Sequence, residues 1–169
     1  MHPLRLVAAD DTLPIVAAPS NVWDVELEAA PEEWGEGVRG MRLLDRSGRP
    51  RLVCAVWELD PGAQSPQYHA HHAAEEMLLV LRGGPLLRTP DGEQRLSEGE
   101  VVHFPPGASG AHQVKNDSSE AVKYLMVGAH SPFDAIEYID ESRVVVYSAA
   151  ESVLQGAPLF FSHEVAADG

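Results

Sequence analysis

A histidine-rich stretch at residues 68–76 decides how this sequence is interpreted, because it combines strand-like spacing with metal-ligating side chains. It reads Tyr68-His69-Ala70-His71-His72-Ala73-Ala74-Glu75-Glu76. Residues two apart on a β-strand point to the same face, so His69 and His71 can direct two imidazoles at one point. A carboxylate that follows closely would add a hard oxygen ligand. The stretch therefore predicts half of a metal site, which His112 could complete if its strand lies beside this one.

Short apolar runs around this stretch predict an all-β domain. From residue 51 onward, β-branched and aromatic runs alternate with turn sequences such as Pro105-Pro106-Gly107, which is typical of a sandwich or barrel. The predicted strands are 52–59, 77–81, 86–89, 94–96, 101–104, 112–116, 122–127, 136–139, 144–147 and 159–165. Asp91-Gly92 predicts a hairpin, because this pair tolerates the positive φ of a tight turn. Residues 51–148 lack helical periodicity over even three turns, which argues against an α/β fold.

The chain is expected to fold as one domain with an extension at each end. Its 169 residues fall within the usual size of a single domain. Residues 51–148 form the predicted barrel, residues 1–50 an N-terminal arm packed on it, and residues 149–169 a tail. Within the arm, residues 25–33 hint at a helix. The run 159–165 in the tail either covers a sheet edge or reaches a partner subunit, and both alternatives stay open at this point.

Composition limits the classes of partner and location. Lys and Arg number 12 against 26 Asp and Glu, a formal charge of −14, which opposes binding to nucleic acid or to an anionic membrane surface. The single cysteine, Cys54, cannot form an intramolecular disulfide, and no apolar run approaches the length of a membrane span. We therefore expect a cytoplasmic protein that acts on a small molecule. The arm, the tail and the apolar area of Trp23 and Trp34 also predict a homodimer.

Two segments around the histidines resemble the two motifs of the cupin superfamily. Residues 62–83 are similar to the first motif, whose positions are filled by Gly62, His69, His71, Glu76 and Gly83. Residues 99–116 are similar to the second motif, whose positions are filled by Gly99, Pro105, Gly107, His112 and Asn116. The motifs come in the family's order, although the loops after Gly62 and Gly107 are one and two residues longer than in the family pattern.

This resemblance implies a fold and a set of ligands. The fold is an all-β double-stranded β-helix, that is, a cupin-type antiparallel β-barrel or jelly roll, with the N-terminal arm and a C-terminal strand extension. The implied ligands of one divalent transition metal (Fe, Mn, Ni, Cu or Zn) are His69, His71, Glu76 and His112. Strand alternation alone favours Glu75 over Glu76. The six-residue spacing to Gly83 favours Glu76, provided that a tight turn reverses the alternation, and we choose Glu76.

A metal site inside a barrel predicts either catalysis or ligand binding. The leading hypothesis is a metal-dependent enzyme of oxygenase or isomerase type that acts on a small polar or aromatic molecule. Its catalytic side chains are unassigned, with His103 and Tyr68 as candidates, because His103 could face into the barrel and Tyr68 flanks the ligands. The alternative is a module that binds or senses a small molecule without turning it over. Three histidine ligands also predict that metal is lost below about pH 6.5 with uptake of more than one proton.

Overall fold

The computed structural model describes residues 14–15, 20–31, 34–44, 51–65, 67–129, 131–151 and 158–165. Within these ranges the chain forms strands joined by short connections, together with the 3-10 helices Ala108–Gly110 and Ile139–Glu141. The strands are β1 (Glu28–Ala29), β2 (Val38–Arg42), β3 (Leu52–Leu59), β4 (His69–His71), β5 (Glu75–Arg82), β6 (Leu86–Thr89), β7 (Gly92–Arg95), β8 (Val101–Phe104), β9 (Gln113–Lys115), β10 (Val122–Ala129), β11 (Phe133–Tyr138), β12 (Arg143–Glu151) and β13 (Pro158–Glu164). In this part of the chain, no helix has the length and apolar character needed to cross a bilayer.

The strands pair antiparallel in three sheets, which confirms the predicted all-β fold of jelly-roll type. The largest sheet has the order β1-β2-β3-β10-β5-β8, a second has the order β13-β12-β11-β4, and a third has the order β7-β6-β9. Strand β10 lies between β3 and β5 and pairs with both along nearly its whole length. The non-sequential order β3-β10-β5 carries the chain back and forth across the barrel, so distant segments meet at one site.

Alternate side chains on one face of the large sheet build the main core. Along β3, Val53, Ala55, Trp57 and Leu59 are buried, as are Leu78 and Val80 on β5. All of these except Val53 pack in one cluster with Leu87, Leu96 and Val114 from the third sheet and its neighbouring turn, so the main core lies between these two sheets. Burial of each large side chain stabilises the fold by roughly 1.5–3 kcal/mol.

The predicted hairpin is confirmed, although its turn is centred one residue earlier than expected. Strands β6 and β7 pair with Thr89 opposite Gly92, so the two-residue loop is Pro90 and Asp91. Gly92 has a φ of +118° and therefore supplies the positive φ from the first position of β7. A glycine is favoured there because other residues are strained in this region.

Parts of the predicted arm and tail form strands of the sheets. Strand β2 pairs with β3 from Val38 opposite Leu59 to Arg42 opposite Ala55. The hinted helix is wrong for residues 25–31, where the chain contains β1 and no helix. Strand β13 pairs with β12 of the same chain, so the run predicted at 159–165 extends its own sheet. Residues 1–13, 16–19, 32–33, 45–50, 152–157 and 166–169 of the arm and tail lie outside the described residues.

Candidate metal centre

The short strand β4 places two histidines on one face. His69 and His71 flank Ala70, which is fully buried on the other face. Strand β11 supports β4 from the side, with Tyr138 opposite His69 and Ile136 opposite His71. The two imidazole centroids lie 5.2 Å apart at an interplanar angle of 77°. The His-x-His spacing therefore brings two imidazoles together, as the strand period predicts.

A bend after β4 decides which glutamate reaches the histidines. Strand β4 ends at His71 and β5 begins at Glu75, and a bend at residues 72–73 separates them. Oε2 of Glu76 lies 3.5 Å from Nε2 of His71 and 4.0 Å from Nε2 of His69. The side chain of Glu75 is 61% exposed and points away. The bend thus reverses the strand alternation, and Glu76 is the glutamate that faces the imidazoles.

The third histidine comes from the segment that precedes β9. His112 and His69 exchange two backbone hydrogen bonds of 2.9 and 3.2 Å, and their ring centroids lie 4.6 Å apart. Phe104, at the end of β8, stacks on the imidazole of His112 at 3.8 Å and fixes its plane. Nε2 of His112 lies 3.3 Å from Oε2 of Glu76. All four residues of the implied ligand set therefore meet around one carboxylate oxygen.

All three imidazoles are oriented through their Nδ1 atoms. The acceptors are the Gln67 carbonyl for His69 (3.0 Å), the Asp134 carboxylate for His71 (2.6 Å) and the Gly110 carbonyl for His112 (2.9 Å). Because each partner is an acceptor, each Nδ1 carries the hydrogen and each neutral ring presents the lone pair of Nε2. Gly110 suits this position because an added Cβ would lie 1.8 Å from the carbonyl oxygen of Pro105.

The Nε2 atom of His112 is buried without a hydrogen-bond partner among the described residues. Its neighbour Oε2 of Glu76 is also an acceptor, so the 3.3 Å contact between them is not a hydrogen bond. An unpaired buried polar atom costs about 1–3 kcal/mol, which a bound cation would offset. The ligand atoms of His69, His71 and Glu76 lie within 4.8 Å of one another, and His112 lies just beside this group. Imidazoles with one carboxylate suit a divalent transition metal, so these residues fit the metal that the resemblance implies.

Burial and hydrogen bonding shift the pKa values of the three imidazoles in different directions. Burial lowers the pKa of His69 to about 4, and the neighbouring His112 adds to this effect. Burial also lowers the pKa of His112. For His71, burial acts in the same direction, but the hydrogen bond to Asp134 and the charge of Glu76 outweigh it and raise the pKa. Two imidazoles are thus neutral at physiological pH, the form in which histidine binds metals.

His103 does not join this cluster. It is 59% exposed, and its Nε2 atom lies 3.7 Å from Glu75 on the outer face of the sheet. The inward orientation considered for it is wrong because Phe104, its neighbour on β8, takes the inward position under His112. The structure therefore places His103, one of the two candidate catalytic residues, on the outside of the barrel.

Tyr68 lies close to the ligands in sequence but on the other side of β4. It packs with Ala70 and Ala111 in a small buried cluster. The guanidinium of Arg88 lies 4.0 Å from the centre of its ring. His72 is exposed and forms a contact of 3.0 Å with Glu137, which agrees with the expectation that it is a surface residue of the bend.

Two residues of β11 that the sequence did not assign to the site lie beside it. Asp134 contacts His71, and the ring of Tyr138 lies 6.0 Å from that of His69. The guanidinium of Arg143 covers the Tyr138 ring at 4.1 Å. Asp134 lies before the predicted strand 136–139, so the residue pattern of that strand gave no indication of where its side chain points. Tyr138 could have been found only from its pairing with His69, which is a long-range contact.

Comparison with known proteins identifies the class of this barrel. Residues 55–128 match the family model of the cupin domain. The fold is similar to a crystal structure of a sugar phosphate isomerase from a cupin superfamily of Silicibacter pomeroyi, with a TM-score of 0.67 and 24% identity over 83% of this chain and 90% of that one. It is also similar to the polyketide cyclase RemF of Streptomyces resistomycificus, with a TM-score of 0.55 and 24% identity over 67% of this chain and 79% of that one.

The matched region contains both motifs and all four residues of the cluster. Within residues 55–128 the chain therefore carries a cupin domain. No curated protein matches it. At 24% identity these structural similarities show the shared fold alone, and the activities of the two similar proteins remain statements about those proteins.

Proposed function

We propose that this protein is a metal-dependent enzyme of oxygenase or isomerase type that acts on a small polar or aromatic molecule. The observation that carries this proposal is the set of three imidazole Nε2 atoms at 3.3–4.0 Å from one oxygen of Glu76. The residues that would hold the metal are His69, His71, Glu76 and His112. When bound there, a divalent transition metal supplies Lewis-acid polarisation of substrate oxygens, and redox-active iron adds chemistry with O₂.

Tyr138 and Arg143 add a proton donor and a positive charge beside the four candidate ligands. Burial raises the pKa of Tyr138, so its hydroxyl stays protonated at neutral pH and can donate a hydrogen bond to a substrate oxygen. Arg143 stacks on Tyr138 and also pairs with Glu141 at 2.8 Å. A guanidinium next to the site attracts a carboxylate or a phosphate, because Arg matches the geometry of both groups.

These features define a set of substrates to test. A bidentate oxygen ligand suits the metal, and an anionic group suits Arg143. Hydroxy acids, β-dicarbonyl compounds and catechols meet the first condition, and sugar phosphates meet both. The similar structures support the choice, because one is a sugar phosphate isomerase and the other a polyketide cyclase.

The second candidate is a module that binds or senses a small molecule without turnover. The positions of His103 and Tyr68 favour it, because the first is exposed and the second packs on the opposite face of β4. Among the described residues beside the four candidate ligands, Tyr138 is then the one side chain that we assign as a proton donor to a substrate. A module that only binds its ligand needs no further acid–base side chain.

A metal-dependence assay separates the two candidates. The protein is purified without added metal, its metal is identified by mass spectrometry, and metal-loaded and chelator-treated samples are incubated with the substrate set. The enzyme hypothesis predicts O₂ uptake or product formation in the loaded sample, with loss after chelation and recovery after reloading. Saturable binding of a compound without any product would contradict it and support the binding module.

A further inference from the structure

We infer that Asp134 is the positioning residue that fixes the ring orientation and tautomer of His71 in the metal centre, an inference that rests on the proposed function. Oδ2 of Asp134 accepts a hydrogen bond of 2.6 Å from Nδ1 of His71. The carboxylate is 6% exposed, so little water competes with this bond. His69 and His112 use backbone carbonyls at the same ring position. His71 is therefore the one imidazole of the three that a charged side chain orients.

The second oxygen of the same carboxylate holds the bend that follows β4. Oδ1 of Asp134 accepts backbone hydrogen bonds from His72 at 3.1 Å and from Ala73 at 2.7 Å. This bend reverses the strand alternation and thereby turns Glu76 toward the imidazoles. One buried residue thus connects the direction of the His71 ring to the position of the glutamate.

A carboxylate at Nδ1 has a specific chemical consequence for a histidine ligand. It accepts only, so it keeps the hydrogen on Nδ1 and leaves the Nε2 lone pair for the metal. Its charge also makes the imidazole a better electron donor, and loss of such a partner typically lowers metal affinity about 10–100-fold. Asp134 lies beyond residues 55–128, so the strand that follows the matched domain contributes this residue.

The Asp134→Asn variant separates these roles. The amide oxygen can still accept from the backbone N–H groups of residues 72 and 73, so the bend is retained. The amide nitrogen then faces Nδ1 of His71 and donates to it, which forces the hydrogen onto Nε2, where it points at the metal position. Glu137→Gln is the matched control, because Glu137 lies on the same strand and contacts the neighbouring histidine, His72, at the exposed surface.

The first measurement is the affinity for Co²⁺, obtained by competition with a chromophoric chelator. We expect Asp134→Asn to weaken binding about 10–100-fold, and Glu137→Gln to change it less than about twofold, since exposed ion pairs contribute little. The visible spectrum of bound Co²⁺ should also change in the first variant only. Wild-type affinity and an unchanged spectrum in Asp134→Asn would overturn the inference.

The second measurement concerns the metal-free protein and keeps the two hypotheses distinguishable. The ¹⁵N chemical shifts of the His71 ring are recorded at about pH 9, above the ordinary histidine pKa of about 6.5. We expect the hydrogen on Nδ1 in the wild type and in Glu137→Gln, and on Nε2 in Asp134→Asn. An Nε2 hydrogen in the wild type would overturn the inference, even if the variant failed to fold. Absence of Co²⁺ binding by the wild type would instead reject the metal centre, and the ring shifts would still decide what Asp134 does to His71.

Discussion

Glu75 and Glu76 are adjacent in sequence and have opposite surroundings. Glu76 is 12% exposed and faces three imidazoles, whereas Glu75 is 61% exposed and lies beside His103. Neither position follows from strand alternation alone. The bend at residues 72–73, held by backbone hydrogen bonds to Asp134, decides it. At the scale of single residues, the site therefore depends on a contact between segments about 60 positions apart in sequence.

The two glutamates give a matched pair of variants. Glu76→Gln removes the negative charge that faces the imidazoles, so we expect a loss of Co²⁺ affinity at least as large as the 10–100-fold typical of outer-shell changes. Glu75→Gln should leave the affinity unchanged. Chelator competition on both variants measures the difference. A larger loss of Co²⁺ affinity from Glu75→Gln than from Glu76→Gln would show that Glu76 is not the glutamate that faces the imidazoles.

Burial of His69 predicts acid sensitivity of the metal-free protein. Its pKa is about 4 in the folded state and about 6.5 in the unfolded state, so the unfolded chain binds the proton first. The stabilisation from this difference is fully present above pH 6.5, and it decreases by about 3 kcal/mol as the pH falls toward 4, because the two pKa values differ by about 2.5. His112 acts in the same direction, whereas the raised pKa of His71 acts in the opposite one. Urea unfolding between pH 7 and 4.5 should give a smaller pH slope for His69→Gln than for the wild type, and equal slopes would contradict this account.

The same pKa shifts change the expected pH dependence of metal binding. The sequence alone predicts uptake of more than one proton as metal is lost below about pH 6.5. In the folded protein His69, whose pKa is lowered to about 4, is already neutral near pH 6, and burial lowers the pKa of His112 in the same direction. His71, with a raised pKa, is then the main competitor for protons. We therefore expect at most two protons to be taken up per Co²⁺ released between pH 7 and 5 in a Co²⁺ titration, and a slope of three there would contradict the lowered pKa of His69.

At the scale of elements, the arm is tied to the barrel by a pair of indole rings. Trp34 stacks on Trp57 of β3 with centroids 4.7 Å apart and an interplanar angle of 18°. Trp34 is partly buried against the core, whereas Trp23 is 60% exposed. We expect Trp34→Ala to lower the free energy of unfolding by about 2–3 kcal/mol, and Trp23→Ala by less than about 0.5 kcal/mol. Urea denaturation measures both, and equal losses would show that the stack does not anchor the arm.

The strands that periodicity identified well are those with an apolar face on the main core. Strands β3, β6 and β8 begin and end where the sequence predicts, because their alternation reflects burial. The sequence places Val38–Arg42 in the N-terminal arm, whereas pairing with β3 makes this segment strand β2. It contains a glycine and two arginines, so its local preference for a strand is weak. For β2, pairing with β3 therefore decides the structure, and the local sequence preference does not.

The residues of the candidate site also fall into two groups, those that local sequence patterns identify and those that depend on long-range strand pairing. The local spacing of His69 and His71 and the motif position of His112 could be read from the sequence. Asp134 and Tyr138 could not, because they reach the histidines through the pairing of β11 with β4. An inward orientation of His103, which the sequence left open, is not allowed by the alternation of β8.

For the whole molecule, we expect a homodimer. Strand β13 is the edge of its sheet and carries Phe161 and, just after it, Val165, with 55% and 48% exposure. An exposed apolar edge strand favours pairing with a second copy. Sedimentation velocity at micromolar concentration should give a dimer for the wild type, and Phe161→Asp should shift it toward monomer because it adds a like charge to a chain of net charge −14. A wild-type monomer throughout this range would reject the prediction.

Co²⁺ binding by the wild type and by a variant that lacks two of the ligands is the direct test of the metal centre. Equilibrium dialysis against Co²⁺ is compared between the wild type and the double variant His69→Ala/His71→Ala, with circular dichroism to verify the fold. The account predicts about one tightly bound Co²⁺ per wild-type chain and none in the folded double variant, because Glu76 and His112 alone supply too few ligands for tight binding. Retention of stoichiometric Co²⁺ by the double variant would contradict the assignment of this cluster as the metal centre.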